Sequence, residues 1–363
     1  MAQRQPHKGR KRILTSLYSK STLYTSPEIR KISRVLLVER LLPTIESAVR
    51  KQISLDALEH SLAISIDFIT GYLFGIGNST NFLQDVGTRK RWLHAHDRIK
   101  GQKFWSLEFP RLAALLGKFR VNSPAPEIES LTKEVKNLCL QLMENTEAST
   151  SPLNGSSAHD RIKWTRPVVY EQLLQHLQPA PQTRLIVASE LMDHIMAGTE
   201  TSGWTLTYIM YELSLRPQLQ STLRSELLSL ASPMVYTDTS VSDQTPLATS
   251  DFPSPRDLDS LSLLDAIVLE SLRRYPAVAG AQPRTSRSRS SLGRWTDIPP
   301  GIRVSAQAYS LHRNTEVFPD PESWIPMRWL TCDEESRERM MRFFWAFGSG
   351  GRMCIGNHFA MIG

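Results

Sequence analysis

Apolar residues recur at the three- and four-residue spacing of amphipathic helices along most of this 363-residue chain. The pattern covers residues 32–74, where Pro43 marks an expected break, and it returns over residues 171–215 and 217–230. A further helix is predicted to stop before Pro276, because the residue that precedes a proline avoids the helical conformation. The spacing therefore predicts a mainly helical protein.

The last part of the chain differs, since proline and glycine interrupt it every few residues after Pro276. Residues 302–306 are typical of a short strand. Residues 232–255 are rich in Ser, Thr, Asp and Pro, have little to bury, and predict a mobile loop. With no internal repeat, the sequence indicates one domain over residues 1–363, mainly α with a small β part.

The composition is that of an ordinary globular protein, with 40% hydrophobic and 22% charged residues. Three scattered cysteines are too few for a disulfide scaffold, and they favour a reducing compartment. No apolar run reaches the roughly 18 residues of a membrane-spanning helix. The basic N-terminus also lacks the apolar stretch of a signal peptide.

The net charge of +7 is unevenly placed along the chain. A basic cluster within the first twelve residues is typical of a nuclear-targeting or nucleic-acid-binding patch. A solvated end and a docking surface for an acidic partner are the weaker alternatives. No aromatic residues alternate with the charges to stack on bases, so nucleic acid is the least favoured partner. The cluster consists of Arg4, Lys8, Arg10, Lys11 and Arg12.

A glycine-rich loop over residues 347–356 is the most informative segment, with the spacing Phe-x-x-Gly-x-Arg-x-Cys-x-Gly. Its glycines allow positive φ angles and a tight turn, so that backbone N–H groups can point at the sulfur of Cys354. A helix that began after Cys354 would further favour the thiolate over the thiol. One thiolate held in this way, with Arg352 close by, suits the axial position of haem iron. The alternative is a glycine-rich turn around an inert, buried cysteine.

This loop resembles the haem-binding loop of the cytochrome P450 monooxygenases at every fixed position. The resemblance implies that Cys354 binds the iron of haem b, that Arg352 meets a haem propionate and that Phe347 packs on the macrocycle. Gly350 and Gly356 stand at the family's fixed glycine positions and are expected to contribute to the same cofactor site.

A second segment, residues 197–202, places small residues in the middle of a predicted helix. Glycine there costs about 1 kcal/mol relative to alanine, so we expect something to need the space. Ala197 and Gly198 would let a flat ligand or dioxygen approach the helix; a glycine contact between helices is the alternative. The segment resembles the oxygen-binding part of the family's central helix, which implies that Thr201 and Glu200 relay protons to oxygen.

A third feature is the pair Glu270 and Arg273, three residues apart on a predicted helix. Alone, such a pair is usually a surface ion pair of little energy. In the family, an interior Glu-x-x-Arg pair is joined by a second arginine from a segment that residues 324–329 resemble. The resemblance implies that Glu270, Arg273 and Arg328 form a structural triad that braces the cysteine loop and takes no part in catalysis.

Arg284 follows an apolar run over residues 276–283. The resemblance implies that Arg284 binds a haem propionate and that the apolar run lines the substrate pocket. The alternative is an exposed arginine in a basic loop beside Arg287 and Arg289. Near the N-terminus, residues 7–14 resemble the family's C-helix, and His7 and Lys11 stand where that helix meets the propionates.

The resemblance is to fungal microsomal members, and residues 67–75 add to it. It predicts a cytochrome P450-like helical fold, here without the family's N-terminal anchor, its first helices and strands, and its C-terminal hairpins. We expect a monooxygenase that inserts one atom of O2 into a small apolar substrate in secondary metabolism. A truncated, non-catalytic remnant that does not hold haem stably is the alternative.

The resemblance also implies an NADPH-dependent reductase as electron donor, received by the basic N-terminal face. Family members of this type lie at the cytosolic face of the endoplasmic reticulum membrane. This chain, without an anchor, is expected to be soluble or peripheral, with weak surface contact to a membrane at most. A third hypothesis, a nucleic-acid-binding protein, depends on the basic cluster alone and predicts nothing about Cys354.

Overall fold

The computed structural model describes residues 4–100, 109, 112, 115, 126–150, 165–235 and 252–362. These residues are mainly helical with a small β part, which confirms the predicted fold class. They fall into two compact units, the first up to Thr199 and the second over residues 200–362. Most of the loop predicted over residues 232–255 lies outside the described residues.

The first unit is helical throughout its described part. Its helices are α1 (Arg4–Thr15), α2 (Lys20–Thr25), α3 (Pro27–Arg34), α4 (Leu42–Lys51), α5 (Ala57–Phe74), α6 (Val86–Lys100), α7 (Pro126–Thr150) and α8 (Val168–His176). The next helix, α9 (Thr183–Ser214), contains the boundary between the units.

Helix α5 forms the core of the first unit. It starts at Asp56, whose side chain accepts the Glu59 N–H at 2.9 Å, and it is buried along its whole second half. Within that half lies Asp67, a buried carboxylate that accepts the N–H groups of Phe82 and Leu83 at 2.8 and 3.1 Å. This carboxylate fixes the following loop to the core helix.

The helical pattern of residues 32–74 is not broken at Pro43, contrary to the prediction. Val35–Leu41 form a π-helical segment that joins α3 to α4. Proline has no N–H to give to the carbonyl of Glu39, which instead accepts the side-chain N–H of Gln84 at 3.1 Å. A side chain from outside the helix thus takes the place of the missing bond, and the helix continues.

The helix predicted over residues 171–215 is divided in two. It is interrupted between α8 and α9, where Pro179 and Pro181 remove two backbone donors and disfavour the helical conformation before them. The second piece, α9, is 32 residues long.

The second unit contains the β part. Its elements after α9 are α10 (Pro217–Leu228), α11 (Pro255–Asp259), α12 (Ser262–Arg274), β1 (Ala281–Thr285), β2 (Ser290–Leu292), β3 (Trp295–Ile298), β4 (Arg303–Gln307), α13 (Ala308–Leu311), α14 (Arg328–Thr331), α15 (Glu334–Phe343) and α16 (Asn357–Ile362). Strands β1 and β4 pair antiparallel with Arg284 opposite Val304, and β2 pairs antiparallel with β3.

Helix α12 is the central element of the second unit. Ala266 and Leu269 pack into one apolar cluster with Trp329, and Leu263 and Ile267 pack into another. Glu226 of α10 caps its first turn, since its carboxylate accepts the N–H groups of Leu263 and Leu264 at 2.8 and 3.0 Å. The helix ends before Pro276, as predicted. Of the helices that the structure describes, none is both long enough and apolar enough to cross a membrane.

Candidate functional site

The cysteine loop connects α15 to α16 in the second unit. Gly348 and Gly350 have φ angles of 67° and 68°, so this turn needs glycine at these two positions, as the sequence predicted. Gly351, for which the sequence predicted the same, does not have a positive φ angle. A 3₁₀ turn over Gly350–Arg352 follows, and the Cys354 N–H donates to the carbonyl of Phe347 at 2.9 Å. The loop thus folds back on itself and carries Cys354 at its end.

Cys354 is exposed to solvent, unlike the inert buried cysteine of the alternative interpretation. A Cβ atom added to Gly356 would come within 4.0 Å of the sulfur, so glycine at this position leaves one side of the thiol open. An accessible sulfur with space beside it can bind a metal ion that approaches from outside the loop.

Two arginines lie close to this loop in the fold. Arg352 belongs to it, and Arg284 is on β1, two residues from Gln282 and therefore on the same face of the strand. A Cβ atom added to Gly348 would lie 3.0 Å from Gln282 Oε1, so this face of β1 contacts the loop.

Both guanidinium groups are exposed, and neither has a carboxylate partner among the residues that the structure describes. Arg284 donates only to the adjacent carbonyl of Pro283, at 2.9 Å. One accessible thiol and two guanidinium groups without an acidic partner in the described part of the chain fit a haem, which brings an iron ion and two carboxylates. Phe347, in the same loop, is half-buried.

The three residues predicted as a structural triad meet in the core of the second unit. Arg273 makes two parallel hydrogen bonds to the Glu270 carboxylate, at 2.8 and 2.9 Å, and Arg328 Nε donates to the same carboxylate at 3.1 Å. Two further donors complete the set: the Trp329 indole N–H at 2.9 Å and the Ile325 backbone N–H at 2.8 Å. Buried charges of both signs are therefore paired and hydrogen-bonded.

The arginines of this triad extend its hydrogen bonds to backbone carbonyls around it. Arg273 donates to the carbonyls of His312, Pro321 and Ser323 at 2.8 to 3.0 Å. Arg328 donates to those of Pro319 and Asp320 at 2.7 and 3.2 Å. These bonds fix the segment between α13 and α14, which has little regular structure of its own.

His312, which the sequence did not single out, is fully buried next to this triad. Its Nδ1 lies 2.8 Å from the carbonyl of Arg273, and its Nε2 lies 2.7 Å from the backbone nitrogen of Trp345, just before the cysteine loop. Burial lowers the pKa of His312 to about 4, and the positive charges of Arg273 and Arg313 act in the same direction. No spacing in the sequence could indicate this role, because its partners are 33 and 39 residues away.

The small-residue segment lies on α9, at the boundary between the units. Ala197 is exposed, whereas Gly198 faces Ile69 of α5 so closely that an added Cβ would lie 3.0 Å from its Cγ1. This contact supports the packing alternative for Gly198. Glu200 and Thr201 are half-buried at the start of the second unit.

The remaining two candidates lie on α1 in the first unit. Lys11 is half-buried there, and His7 is placed by its backbone, one helical turn before it. Cys354, Arg352 and Arg284 thus lie in the second unit, while His7 and Lys11 belong to the first.

Comparisons with known proteins relate the whole chain to one family. The family model described as Cytochrome P450 matches residues 4–363. The cytochrome P450 monooxygenase avaI of Aspergillus versicolor is 28% identical over 376 residues, covering 100% of this chain and 80% of that protein. The conidiogenone synthase PchP450 of Penicillium rubens is 26% identical over 357 residues, covering 98% and 65% respectively.

A crystal structure of a cytochrome P450 (CYP102L1) matches with a TM-score of 0.66 and 18% sequence identity, over 99% of this chain and 70% of that one. The chain thus spans from about two thirds to four fifths of the length of these proteins. None of the comparisons supports the alternative of a non-catalytic remnant.

Proposed function

Since this chain belongs to the cytochrome P450 family, whose members are haem-thiolate enzymes, we propose that Cys354 is the axial ligand of a haem b in a monooxygenase. The observation that carries this proposal is the exposed thiol of Cys354 at the end of a turn that two positive-φ glycines shape. Bound haem would supply the redox chemistry by which one atom of O2 enters an organic substrate.

Several of the chain's own residues are proposed to hold that group. Arg284 and Arg352 have exposed guanidinium groups that can pair with propionates, since neither has a carboxylate partner among the described residues. Phe347 would pack on the macrocycle, and Gly350 and Gly356 keep the loop close to it. From the first unit, His7 and Lys11 are proposed to contribute further propionate contacts.

Thr201 and Glu200 are proposed to hold and pass the protons that oxygen cleavage consumes. Ala197 supports this assignment, because it is exposed and lies one helical turn from Thr201 on the same face of α9. A small side chain there leaves room for dioxygen beside the hydroxyl. Gly198 is proposed to serve mainly the close packing of α9 on Ile69.

We propose a small apolar molecule of fungal secondary metabolism as substrate. The support is that the two fungal relatives matched over nearly the whole chain are named a cytochrome P450 monooxygenase and a conidiogenone synthase. Enzymes of this family generally take electrons from a reductase, and an NADPH-dependent reductase at a basic face is proposed here. The cytosolic face of the endoplasmic reticulum is the proposed setting.

The ligand assignment is tested with Cys354→Ser, and Cys332→Ser serves as the matched control. The reduced chain with bound haem and carbon monoxide should show the red-shifted Soret band of a thiolate ligand. Cys354→Ser should lose this band, because a serine hydroxyl does not replace the thiolate, while Cys332→Ser should keep it. A thiolate-type band that persists in Cys354→Ser would contradict the assignment. Thermal unfolding of the haem-free variants shows whether each is folded.

A further inference from the structure

His312 connects the buried triad to the cysteine loop. It follows α13, and its ring lies between two aromatic rings, stacked on Phe344 at 5.5 Å and edge-on to Phe318 at 6.4 Å between centroids. Phe344 is the residue at which α15 ends and the chain turns toward Cys354. The imidazole therefore sits at the entrance of the loop, in a position that packing alone already restricts.

The hydrogen bonds of this ring define its protonation state. The backbone N–H of Trp345 can only donate, so Nε2 must accept and carry no proton. The carbonyl of Arg273 can only accept, so Nδ1 must carry the proton. Neutral His312 with the proton on Nδ1 satisfies both bonds. In an imidazolium the Nε2–H would face the Trp345 N–H, and two donors cannot form a hydrogen bond with each other.

The bond to Trp345 is the first of a short series that ends at the ligand. The carbonyl of Trp345 accepts the N–H of Gly348 at 3.0 Å, which closes the first turn of the loop. The carbonyl of Phe347 accepts the N–H of Cys354 at 2.9 Å. A shift of the Trp345 peptide would therefore move the turn that holds the Cys354 backbone.

We propose that His312 is a positioning residue that fixes the Trp345 peptide and thereby sets the placement of Cys354 for iron binding. This inference rests on the proposed function of Cys354 as the ligand. His312 does not touch the reacting atoms; it connects the Glu270–Arg273 pair, through the Arg273 carbonyl, to the first turn of the cysteine loop. A thiolate ligand held loosely would be lost more easily from the metal.

The surroundings of His312 keep it in the accepting form. Arg273 lies on α12 and Arg313 follows His312 in the sequence, and their positive charges oppose a further charge on the ring, whereas the hydrogen bond to the Arg273 carbonyl acts in the other direction. The rings of Phe318 and Phe344 carry no net charge. Glu270 is the one carboxylate of the triad, and it is already hydrogen-bonded to Arg273 and Arg328. Because the two arginines are positively charged and the carboxylate is already paired, the neutral imidazole of His312 is favoured over the imidazolium.

Two substitutions of His312 each keep one of the two hydrogen bonds of the ring and remove the other. The amide of His312→Gln reaches the position of Nε2, so its oxygen can accept the Trp345 N–H. The shorter amide of His312→Asn occupies the position of Nδ1, so it can donate to the Arg273 carbonyl and leaves the Trp345 N–H without an acceptor. Both variants remove the ring and its stacking, and only one removes the bond in question.

Hydrogen exchange of the full chain, followed in a peptide that contains Trp345, is the direct measurement. We expect the Trp345 amide to exchange about ten- to a hundredfold faster in His312→Asn than in His312→Gln, because its part-buried N–H loses its acceptor. The reduced carbon monoxide complex of His312→Asn should show a larger share of the band without thiolate ligation, and His312→Gln should stay close to wild type. Equal exchange and equal spectra in the two variants would overturn the proposal.

A measurement on the wild-type chain covers the case in which His312→Asn does not fold. Nitrogen chemical shifts of the His312 ring should show a proton on Nδ1 and none on Nε2 near neutral pH; a proton on Nε2 would overturn the proposal. Failure of the proposed function can be distinguished from failure of this inference. The wild type would then lack the thiolate-type band, while the exchange and the ring protonation would still test His312.

Discussion

Glu270 shows how a single buried carboxylate can organise the second unit. It accepts hydrogen bonds from two arginines, one indole and one backbone N–H, so that none of its oxygens faces an apolar surface. The arrangement is costly to assemble because three charges leave water, and it becomes far more costly when one member is missing. The resemblance to a known family pointed to this triad; the three-residue spacing alone would have suggested a surface pair.

Replacing Glu270 by glutamine should therefore destabilise the chain strongly. Two guanidinium groups would stay in a buried site without a counter-charge, which costs about 3–5 kcal/mol of unfolding free energy. Denaturant unfolding of the variant and the wild type measures this loss.

The matched control is Asp297→Asn, which removes a carboxylate from an ion pair with Arg289 at 2.6 Å. Both side chains of this pair are about two thirds exposed, so the loss should stay below about 1 kcal/mol. Similar losses in Glu270→Gln and Asp297→Asn would show that the buried triad has no special energetic role.

At the level of the elements, the end of α5 depends on one glycine. Gly75 has a φ angle of 79°, and a Cβ atom at this position would lie 2.3 Å from the carbonyl oxygen of Thr165. The same junction is held by the Ile76 N–H, which donates to the hydroxyl of Thr165 at 2.7 Å. Close approach of two backbone segments thus terminates the core helix of the first unit.

Gly75→Ala should cost at least about 2 kcal/mol of unfolding free energy, because the added methyl group must displace a backbone segment and the φ angle becomes strained. Gly9→Ala is the opposite case. Gly9 lies within α1 with no atom within 4 Å of its added Cβ, so alanine should stabilise the chain by about 1 kcal/mol. Thermal or denaturant unfolding compares the two, and a tolerated Gly75→Ala would contradict the close approach.

The helices also show which features a sequence can predict. Apolar spacing predicted the helical segments and the stop before Pro276, since both depend on local rules. It was wrong at Pro43, because the outcome there depends on Gln84, a residue 41 positions along the chain that satisfies the carbonyl left open. It also missed the interruption between α8 and α9, where the prolines outweigh an apolar pattern that continues across them.

The residues of the candidate site also fall into two groups: those that a local motif indicates and those that only the fold brings together. The positive φ angles of Gly348 and Gly350 follow from one local motif, so the turn over residues 347–356 could be predicted from sequence. Arg284 lies outside that motif, and only the resemblance indicates it. His312 could not be predicted, because its partners Arg273 and Trp345 come together only through the fold. Residues that act by positioning others carry no motif of their own.

For the whole molecule, the buried titratable groups determine how stability changes with acid. Among the residues that the structure describes, burial lowers the pKa of His194 in the first unit and of His312 in the second to about 4. Tyr18 stacks on His194 and hydrogen-bonds to its Nδ1 at 3.0 Å. Burial raises the pKa of Asp67 and of Glu190, which opposes the histidines, so the wild-type curve alone is a sum of both effects.

Comparison of the wild type with His312→Gln isolates one of these groups. Unfolded His312 binds a proton below about pH 6.5, whereas folded His312 does so only below about pH 4. The unfolded state therefore holds more protons in this window, and the stability contributed by neutral His312 is complete above pH 6.5 and is lost as the pH falls to 4. His312→Gln has no imidazole at this position, so its stability does not include this pH-dependent contribution.

The stability of the wild type relative to His312→Gln should therefore fall by about 3 kcal/mol between pH 6.5 and pH 4, with a slope near 1.4 kcal/mol per pH unit. Denaturant unfolding of both chains at several pH values gives this difference directly. The carboxylates of Asp67 and Glu190 cancel in the comparison, because they are present in both chains. A difference that stays constant over this range would mean that folded His312 takes up its proton at the same pH as the unfolded chain, so that its surroundings do not keep the ring neutral below pH 6.5.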